Sequence, residues 1–477
     1  MNSNETPGNP KSDTTNTVVV ETSLKQMEAV HHGSESGEEV DIKTLSSASY
    51  VSWRGYAPPN RVTGWVNVVF IIMADLIGTG IVNLPETFNR MGWAVGVVIL
   101  TAFGLLTAYA GLLLWRLHMT YHDGVTYGNI AKSVSGKALM WLAFVIVYTH
   151  FFMKMANYLL AAAKAIQVAF WMKDVCLYYA TLATLAFVVP LCQLRTLHQI
   201  SYAGAFSVLM ISITILLLLI QAYTTWDQIG AEGVEYNPLP MEKGTKGFLS
   251  AFSAMTSLVF AYGGQGMYLE TMSEMRNPKD FPKALSVFMS IIIAFYLWSS
   301  LSLYFRYGDQ TYQYVLFNMG DGAIKTVAAV CMFLHVLVSF CLNSQLLTRA
   351  IQVRLWPGSV NSEDKTEWLK WLAISGCTIS LAWLISNAVP FFSDLEGLIS
   401  SICVGPTTFG FPALFYLLAC RQQGKRVPIH ELLACLTMCF IAVFFVLVGT
   451  GVDVYQIVEN SNTFGKPFTC ILGSISK

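Results

Sequence analysis

The stretch from Ile71 to Pro85 decides the fold and reads IIMADLIGTGIVNLP. It is apolar enough for a membrane-spanning helix, yet Gly78 and Gly80 flank Thr79 near its centre. Each glycine costs a helix interior about 1 kcal/mol relative to alanine and lets the backbone unwind. Unwound backbone in mid-membrane is tolerated only where protein or a water-filled cavity satisfies its polar groups. The stretch therefore predicts a broken membrane helix beside a cavity.

A second stretch repeats this device about 180 residues later. Residues 260–270 read FAYGGQGMYLE, with three glycines at Gly263, Gly264 and Gly266. One such cluster alone would more often serve close packing between helices. Two clusters in corresponding spans of two halves are typical of transporters built from inverted repeats.

The two breaks predict a site for a molecule with two opposite charges. A half-helix that starts at Gly80 or after Gly264 exposes free N–H groups with partial positive charge, which suit a carboxylate. The opposing half-helix ends expose carbonyl oxygens, which suit an ammonium group. An amino acid offers both charges in one small molecule.

The composition places most of the chain in a lipid bilayer. Of its 477 residues 54% are hydrophobic and 12% are charged, and the mean hydropathy is +0.51. Lys plus Arg equals Asp plus Glu at 29 each, which gives no indication of a nucleic-acid partner. Apolar runs of about 20 residues predict an all-α membrane protein with eleven spans. The expected spans are 64–86, 93–115, 139–170, 175–192, 202–223, 247–271, 284–305, 324–355, 368–389, 395–419 and 430–452.

The predicted organisation is one membrane domain between two tails. Residues 1–60 are polar, and we expect a disordered cytosolic tail. Lys and Arg are more common in the segments that this orientation places in the cytosol. The membrane domain would cover 61–455, with repeats at about 64–223 and 247–419 and the eleventh span at 430–452. Residues 456–477 would form a short extracellular or lumenal tail. This topology predicts no sugar on Asn4, and it allows a disulfide between Cys176 and Cys470 as a further hypothesis.

Two acidic residues inside the predicted spans are candidates for coupling, because an ionisable group in mid-membrane costs at least about 2.5 kcal/mol. Asp75 lies one turn before the first break, and Glu270 follows the second. Asp75 could instead be a structural partner of Lys154. Glu270 could instead lie near the inner headgroups.

Polar side chains also form stripes on two other predicted helices. In the third span Lys154, Asn157 and Lys164 share one face, and the first two could pair with Asp75. Lys164 has a simpler explanation, in which its ammonium reaches the outer interface.

The stripe of the eighth predicted span contains His335, Ser339 and Asn343 at spacings of four residues. Histidine is a candidate proton carrier because its ordinary pKa lies near physiological pH. No catalytic triad order, nucleotide loop or metal-ligand cluster accompanies it. We therefore expect neither an enzyme nor a cofactor or metal.

In these segments the chain resembles the amino acid/auxin permease family, within the larger amino acid, polyamine and organocation superfamily. Each motif is weak alone, but their order and placement over about 60–450 are specific. The motifs are Gly78-Thr79-Gly80-Ile81, Leu84-Pro85, Met91-Gly92-Trp93, Phe260-Ala261-Tyr262-Gly263-Gly264, Leu269-Glu270, His335 with Ser339, and Leu194-Arg195-Thr196-Leu197 with Ser201.

The resemblance implies a leucine-transporter-type fold. Spans 1–5 and 6–10 would be inverted repeats with discontinuous first and sixth helices, and an eleventh helix is added. It also implies secondary transport of amino acids, driven by protons or, in some branches, by sodium. Sodium-coupled members carry an asparagine where this chain has Ala74, and the neighbouring Asp75 favours protons.

These arguments predict a proton-coupled amino acid symporter that works by alternating access in a plasma membrane, or in a lysosomal or vacuolar one. Asp75, Glu270 and His335 are the proton-site candidates. A sodium-coupled symporter and an amino acid receptor without net transport remain alternatives. The expected substrate-binding residues are Gly78, Thr79, Gly80 and Ile81 for the carboxylate, carbonyls near Phe260, Ala261 and Tyr262 for the ammonium, Gly263 and Gly264 at the second break, and Phe260 or Tyr262 as a gate.

Overall fold

The computed structural model describes residues 61–121, 124–170, 177–193, 197–224, 234–240, 244–356, 365–388 and 392–464. The predicted tail 1–60, with Asn4, lies outside these ranges. Cys176 and Cys470 lie outside them as well, as does the Leu194-Arg195-Thr196 part of the family motif.

Regular structure in the described ranges is helical, apart from one isolated bridge between Thr63 and Met275. We number the long helices and broken pairs first to eleventh in chain order, and a short helix, Tyr127–Ser135, follows the second. They are Trp65–Leu76 with Gly80–Met91, Trp93–Thr120, Lys137–Ala169, Leu177–Leu191, Leu197–Thr224, Gly244–Phe260 with Tyr268–Glu274, Phe281–Tyr307, Ala323–Leu355, Lys365–Ala388, Phe392–Gln422, and Ile429–Phe444 continuing through Thr450–Phe464.

The predicted all-α, multi-pass fold is confirmed. Within the described ranges nine helices are long and apolar enough to cross a bilayer, and the bent pair of the first span makes ten. The helix in the place of the predicted fourth span, Leu177–Leu191, has 15 residues, fewer than the roughly 17–25 usual for a span. The exact number of eleven spans therefore stays a prediction.

Both predicted breaks are present. The two halves of the first span meet at 52° across residues 77–79. The first half of the sixth span ends at Phe260, and a 3₁₀ turn at Gln265–Met267 precedes its second half. The tenth span is also irregular, because residues Ser400–Gly410 form a π-helix, a feature often found at functional sites.

The eleventh helix continues to Phe464, so the boundary expected at 455 is too early. Asp453 interrupts the apolar run of this helix. In the structure this carboxylate is fully buried and accepts hydrogen bonds from Thr256 at 3.0 Å and from Ser401 at 2.5 Å. A buried carboxylate with such donors does not have to end a helix.

Two backbone hydrogen bonds, which we call the backbone clip, join the start of the first span to the end of the sixth. The N–H of Thr63 donates to the carbonyl of Glu274 at 3.0 Å, and the N–H of Arg276 donates to the carbonyl of Thr63 at 2.9 Å. The start of the first span and the end of the sixth are therefore adjacent, so these two spans run in opposite directions.

Candidate functional site

The two breaks pack directly against each other, and two glycines make this possible. A Cβ atom on Gly80 would lie 2.8 Å from the Cβ of Ala261, and one on Gly264 would lie 2.7 Å from the side chain of Leu76. Real Cβ atoms essentially never approach so closely. The absence of a Cβ atom at each glycine thus allows the two breaks to pack in direct contact.

A narrow crevice, too tight in this conformation to admit a water molecule, lies between the breaks and the third span. Five of the nine residues predicted to bind substrate line it, together with Asp75 and Lys154. Its lining is Asp75, Leu76, Gly78, Gly80, Lys154, Tyr158, Phe260, Ala261 and Gly263.

The first break contains a set of backbone donors without acceptors. The N–H groups of residues 78–81 have no hydrogen-bond acceptor among the described residues. In the half-helix that begins at Gly80, the first backbone N–H with an acceptor is that of Val82, which donates to the carbonyl of Thr79 at 3.2 Å. Free N–H groups at a helix start favour an anion, as the sequence predicted.

Lys154 and Asp75 form the ion pair that the sequence suggested. The Lys154 ammonium lies 2.8 Å from each carboxylate oxygen and also donates to the carbonyl of Gly263 at 3.3 Å. The amide of Asn343 donates to Asp75 at 2.8 Å. One ammonium therefore joins the first break to the second, beneath the eighth span.

The carbonyl side of the site already has partners. The carbonyl of Phe260 accepts from the N–H of Gly263, and that of Tyr262 accepts from the N–H of Gly264, both at 2.9 Å. The single O–H of Tyr296 in the seventh span lies within hydrogen-bond distance of the carbonyls of both Leu76 and Ala261, the latter at 3.0 Å, and these two acceptors share its proton. A carbonyl oxygen has two lone pairs, so one position on each remains for an ammonium group.

Two predicted roles need correction. Tyr262 does not line the crevice, because its hydroxyl donates to the carbonyl of Leu100 in the second span at 3.0 Å. Phe260 remains the gate candidate. Asn157 does not pair with Asp75, because it lies one helical turn beyond Lys154 and its amide donates to Thr79 at 2.7 Å.

The other coupling candidates lie apart from the crevice. His335 has its Nδ1 atom 2.8 Å from the hydroxyl of Ser207 in the fifth span. Glu270, near the end of the sixth span, accepts from the Tyr148 hydroxyl at 3.4 Å. Ser339 does reach the first break, where it donates to the carbonyl of Ala74 at 2.8 Å.

A second polar cluster, which the sequence analysis missed, lies on the opposite side of Thr79. The fully buried Glu396 of the tenth span accepts from Asn157 at 3.1 Å and from Asn83 at 2.8 Å. Asn83 also donates to Ser393 at 3.3 Å. The rule that singled out Asp75 could have found Glu396, but the predicted span start at 395 placed it among the headgroups.

Lys164 does not reach the interface as the simpler explanation assumed. The residue is only 8% exposed, and its ammonium lies 5.1 Å from the ring centre of Phe392. Its helix carries it into the bundle beside the acidic start of the tenth span, where Asp394 and Glu396 attract its charge.

Solved structures share this architecture. One of MhsT in complex with L-phenylalanine is 13% identical, covers 83% of this chain and 99% of that chain, and gives a TM-score of 0.58. A manganese transporter of Eremococcus coleocola is 12% identical, covers 86% and 96%, and gives 0.52. Together with the two facing breaks, this similarity confirms a fold of the leucine-transporter type.

The family follows from the sequence comparisons. The profile described as transmembrane amino acid transporter protein matches residues 61–456, so the chain belongs to that family. Similar proteins include the N amino acid transport system protein of Neurospora crassa, 22% identical over 87% of this chain and 90% of its own length. Amino acid transporter AVT3A of Arabidopsis thaliana is 24% identical over 82% and 89%. Vacuolar amino acid transporter 3 of Saccharomyces cerevisiae is 24% identical over 75% and 52%.

Proposed function

We propose that this protein carries an amino acid across the membrane by proton symport, with the substrate held between the two breaks. The observation that carries the proposal is the row of unpaired N–H groups at residues 78–81, of which Gly78 and Gly80 line the crevice. Backbone donors at a helix start favour a carboxylate without requiring any particular side chain on the substrate. Membership of an amino acid transporter family supports the same substrate class.

The substrate ammonium would lie on the opposite wall. The carbonyls at Phe260 and Ala261 each retain a free lone pair there. Phe260 would cover the bound molecule as a gate. Alternating access would then open the site first to one side of the membrane and then to the other. The helices would bend close to Gly78 and Gly263.

The ion pair of the site favours protons over sodium as the coupling ion. A sodium ion at the first break would need anionic or carbonyl oxygens as ligands. Asp75, a carboxylate at that break, already binds the Lys154 ammonium through both of its oxygens. The internal ammonium therefore takes the position that a bound metal cation would need.

The membrane in which the protein works is a separate question. We keep the plasma membrane as the expected location, and the similarity to a vacuolar transporter of yeast supports a vacuolar or lysosomal membrane as the second possibility. Fluorescent tagging of the native protein, with plasma-membrane and vacuolar markers, distinguishes the two.

The test of transport uses purified protein in proteoliposomes. The twenty ¹⁴C-labelled L-amino acids are assayed one at a time, first for counterflow and then for uptake with an inward proton or sodium gradient. We expect counterflow of at least one amino acid and accumulation that follows the proton gradient. A receptor without transport would bind an amino acid saturably and show no counterflow, and accumulation with sodium alone would exclude proton symport.

A further inference from the structure

We infer that Glu396 is the residue that carries the coupled proton, and that Asn157 links it to the substrate site at Thr79. This inference rests on the proposed function and assigns the coupling step to a residue outside Asp75, Glu270 and His335. The reasons are the partners of Glu396, its burial and its place behind the first break.

The first reason is the nature of the hydrogen-bond partners. Both oxygens of Glu396 accept from uncharged amides, Asn157 on one and Asn83 on the other. Asp75, by contrast, is held by an ammonium at 2.8 Å on both oxygens. A proton on Asp75 would have to displace that ammonium, whereas no direct ion pair has to break at Glu396.

The second reason is that the two amides can satisfy either protonation state. The amide oxygens of Asn83 and Asn157 are buried and have no donor among the described residues. When Glu396 is ionised, both amides donate to it, as observed. When Glu396 is protonated, a half-turn of one amide presents its oxygen to the acidic O–H. Neither state leaves the carboxyl group without a partner, so the cost of burying it is limited in both.

The third reason is the direct connection to the substrate site. The same amide nitrogen of Asn157 that donates to Glu396 also donates to the hydroxyl of Thr79 at 2.7 Å. Thr79 lies in the row of residues whose N–H groups would hold the substrate carboxylate. An ionised Glu396 behind that row repels the carboxylate, and a bound proton removes the repulsion. Proton and substrate therefore favour each other's binding, as symport requires.

The charged and titratable surroundings of Glu396 are compatible with this role. Lys164 of the third span is the ammonium that faces it, and Asp394 faces Lys164 as well. The phenols of Tyr158 and Tyr296 also face it. Lys164 lies over the Phe392 ring and forms no salt bridge within 4.0 Å in the described part of the chain. Lys164 therefore stabilises the ionised form of Glu396 electrostatically without forming an ion pair with it.

The experiment compares E396Q with wild-type protein in proteoliposomes, using the ¹⁴C-labelled L-amino acid that gives the largest wild-type counterflow. Gln keeps the shape and both hydrogen-bonding positions but cannot release a proton. We expect E396Q to retain counterflow within about twofold, and to lose accumulation driven by a proton gradient by about tenfold or more. A pH-sensitive dye inside the vesicles should report substrate-linked proton entry for wild type and none for E396Q.

A matched control is D453N, which neutralises an equally buried carboxylate bound by hydroxyls of Thr256 and Ser401, away from the crevice. We expect this variant to remain coupled. Full coupling in E396Q overturns the inference, as does equal uncoupling in D453N. Loss of counterflow in a monodisperse E396Q also overturns it, because the carboxylate would then serve substrate binding itself.

Two further results complete the test. If E396Q does not purify as a monodisperse protein, E396D decides: a shifted pH profile of uptake supports the inference, and an unchanged profile overturns it. If wild-type protein shows no counterflow with any amino acid, the proposed function fails and the inference fails with it. A coupled wild type beside a coupled E396Q removes the inference alone.

Discussion

The Lys154 ammonium lies 2.8 Å from both carboxylate oxygens of Asp75, and both residues are 3% exposed. Removal of one partner from a buried ion pair costs about 3–5 kcal/mol, because the other charge stays behind unpaired. We predict that D75N and K154M each lower the thermal unfolding temperature of the purified protein strongly. The double variant should recover most of the loss.

A control for this pair is K246M, which breaks a surface ion pair with Glu459 in which the lysine side chain is 76% exposed. Exposed pairs contribute roughly 0–1 kcal/mol, so K246M should change the unfolding temperature little. A double variant D75N/K154M as unstable as the sum of its singles would show that the two residues act independently.

Replacement of Gly80 tests the contact between the breaks. A valine side chain there would start 2.8 Å from the Cβ of Ala261, so the two breaks would have to move apart. We predict that G80V abolishes amino acid uptake while surface expression is retained. G376A is the control, because nothing lies within 4 Å of a Cβ at that position in the ninth span. Wild-type uptake in G80V would contradict the proposed site.

The Tyr296 hydroxyl supplies the only hydrogen bond from another span to the carbonyls of Leu76 and Ala261 among the described residues. Its removal leaves two buried carbonyls at the breaks without that donor, which costs about 1–3 kcal/mol. We predict that Y296F lowers the unfolding temperature and reduces the uptake rate. Y312F should do neither, since the Tyr312 hydroxyl has no hydrogen bond in the described part of the chain. Equal behaviour of the two variants would exclude this role.

His335 contacts Ser207 of the fifth span and does not line the crevice, although its ring also lies beside the backbone of Ile77 at the first break. We therefore predict that H335Q still accumulates amino acid in response to an inward proton gradient, even if its uptake rate falls. The ratio of gradient-driven uptake to counterflow is the quantity to compare with wild type. Normal counterflow with no response to the gradient would make His335 the proton carrier and leave Glu396 without that role.

The sequence was a good guide where a physical penalty forces a structural answer. Glycine clusters in mid-membrane require backbone breaks, and both breaks were found at the predicted positions. Ionisable groups in lipid require partners, and Asp75 found the partner suggested for it in Lys154.

The sequence was a poor guide where position along the membrane or side-chain direction decides. Asn157 and Lys154 share a face, but their separation by three positions adds about 4.5 Å along the helix, enough to move Asn157 from Asp75 to Thr79. Tyr262 follows the last helical residue of its half-span, so helical periodicity does not fix where its side chain points.

Two residues were missed by the sequence analysis. Tyr296 lies in an apolar run, where a tyrosine is indistinguishable from ordinary core. Glu396 lies so close to the start of its predicted span that hydropathy could not tell a buried carboxylate from an interfacial one. In both cases the role depends on at least one partner far away in the chain: the carbonyl of Leu76 is 220 residues from Tyr296, and Asn157 is 239 residues from Glu396.

The backbone clip at Thr63 affects how readily the start of the first span separates from the end of the sixth. Its two backbone hydrogen bonds, at roughly 0.5–1.5 kcal/mol net each, are joined by a third from the Arg276 guanidinium to the carbonyl of Val62 at 2.9 Å. Separation of the first and sixth spans at this end would have to break all three. Release of substrate past this end would then require a thermal fluctuation that separates the two spans. A ligand that binds the separated ends would stabilise the open state.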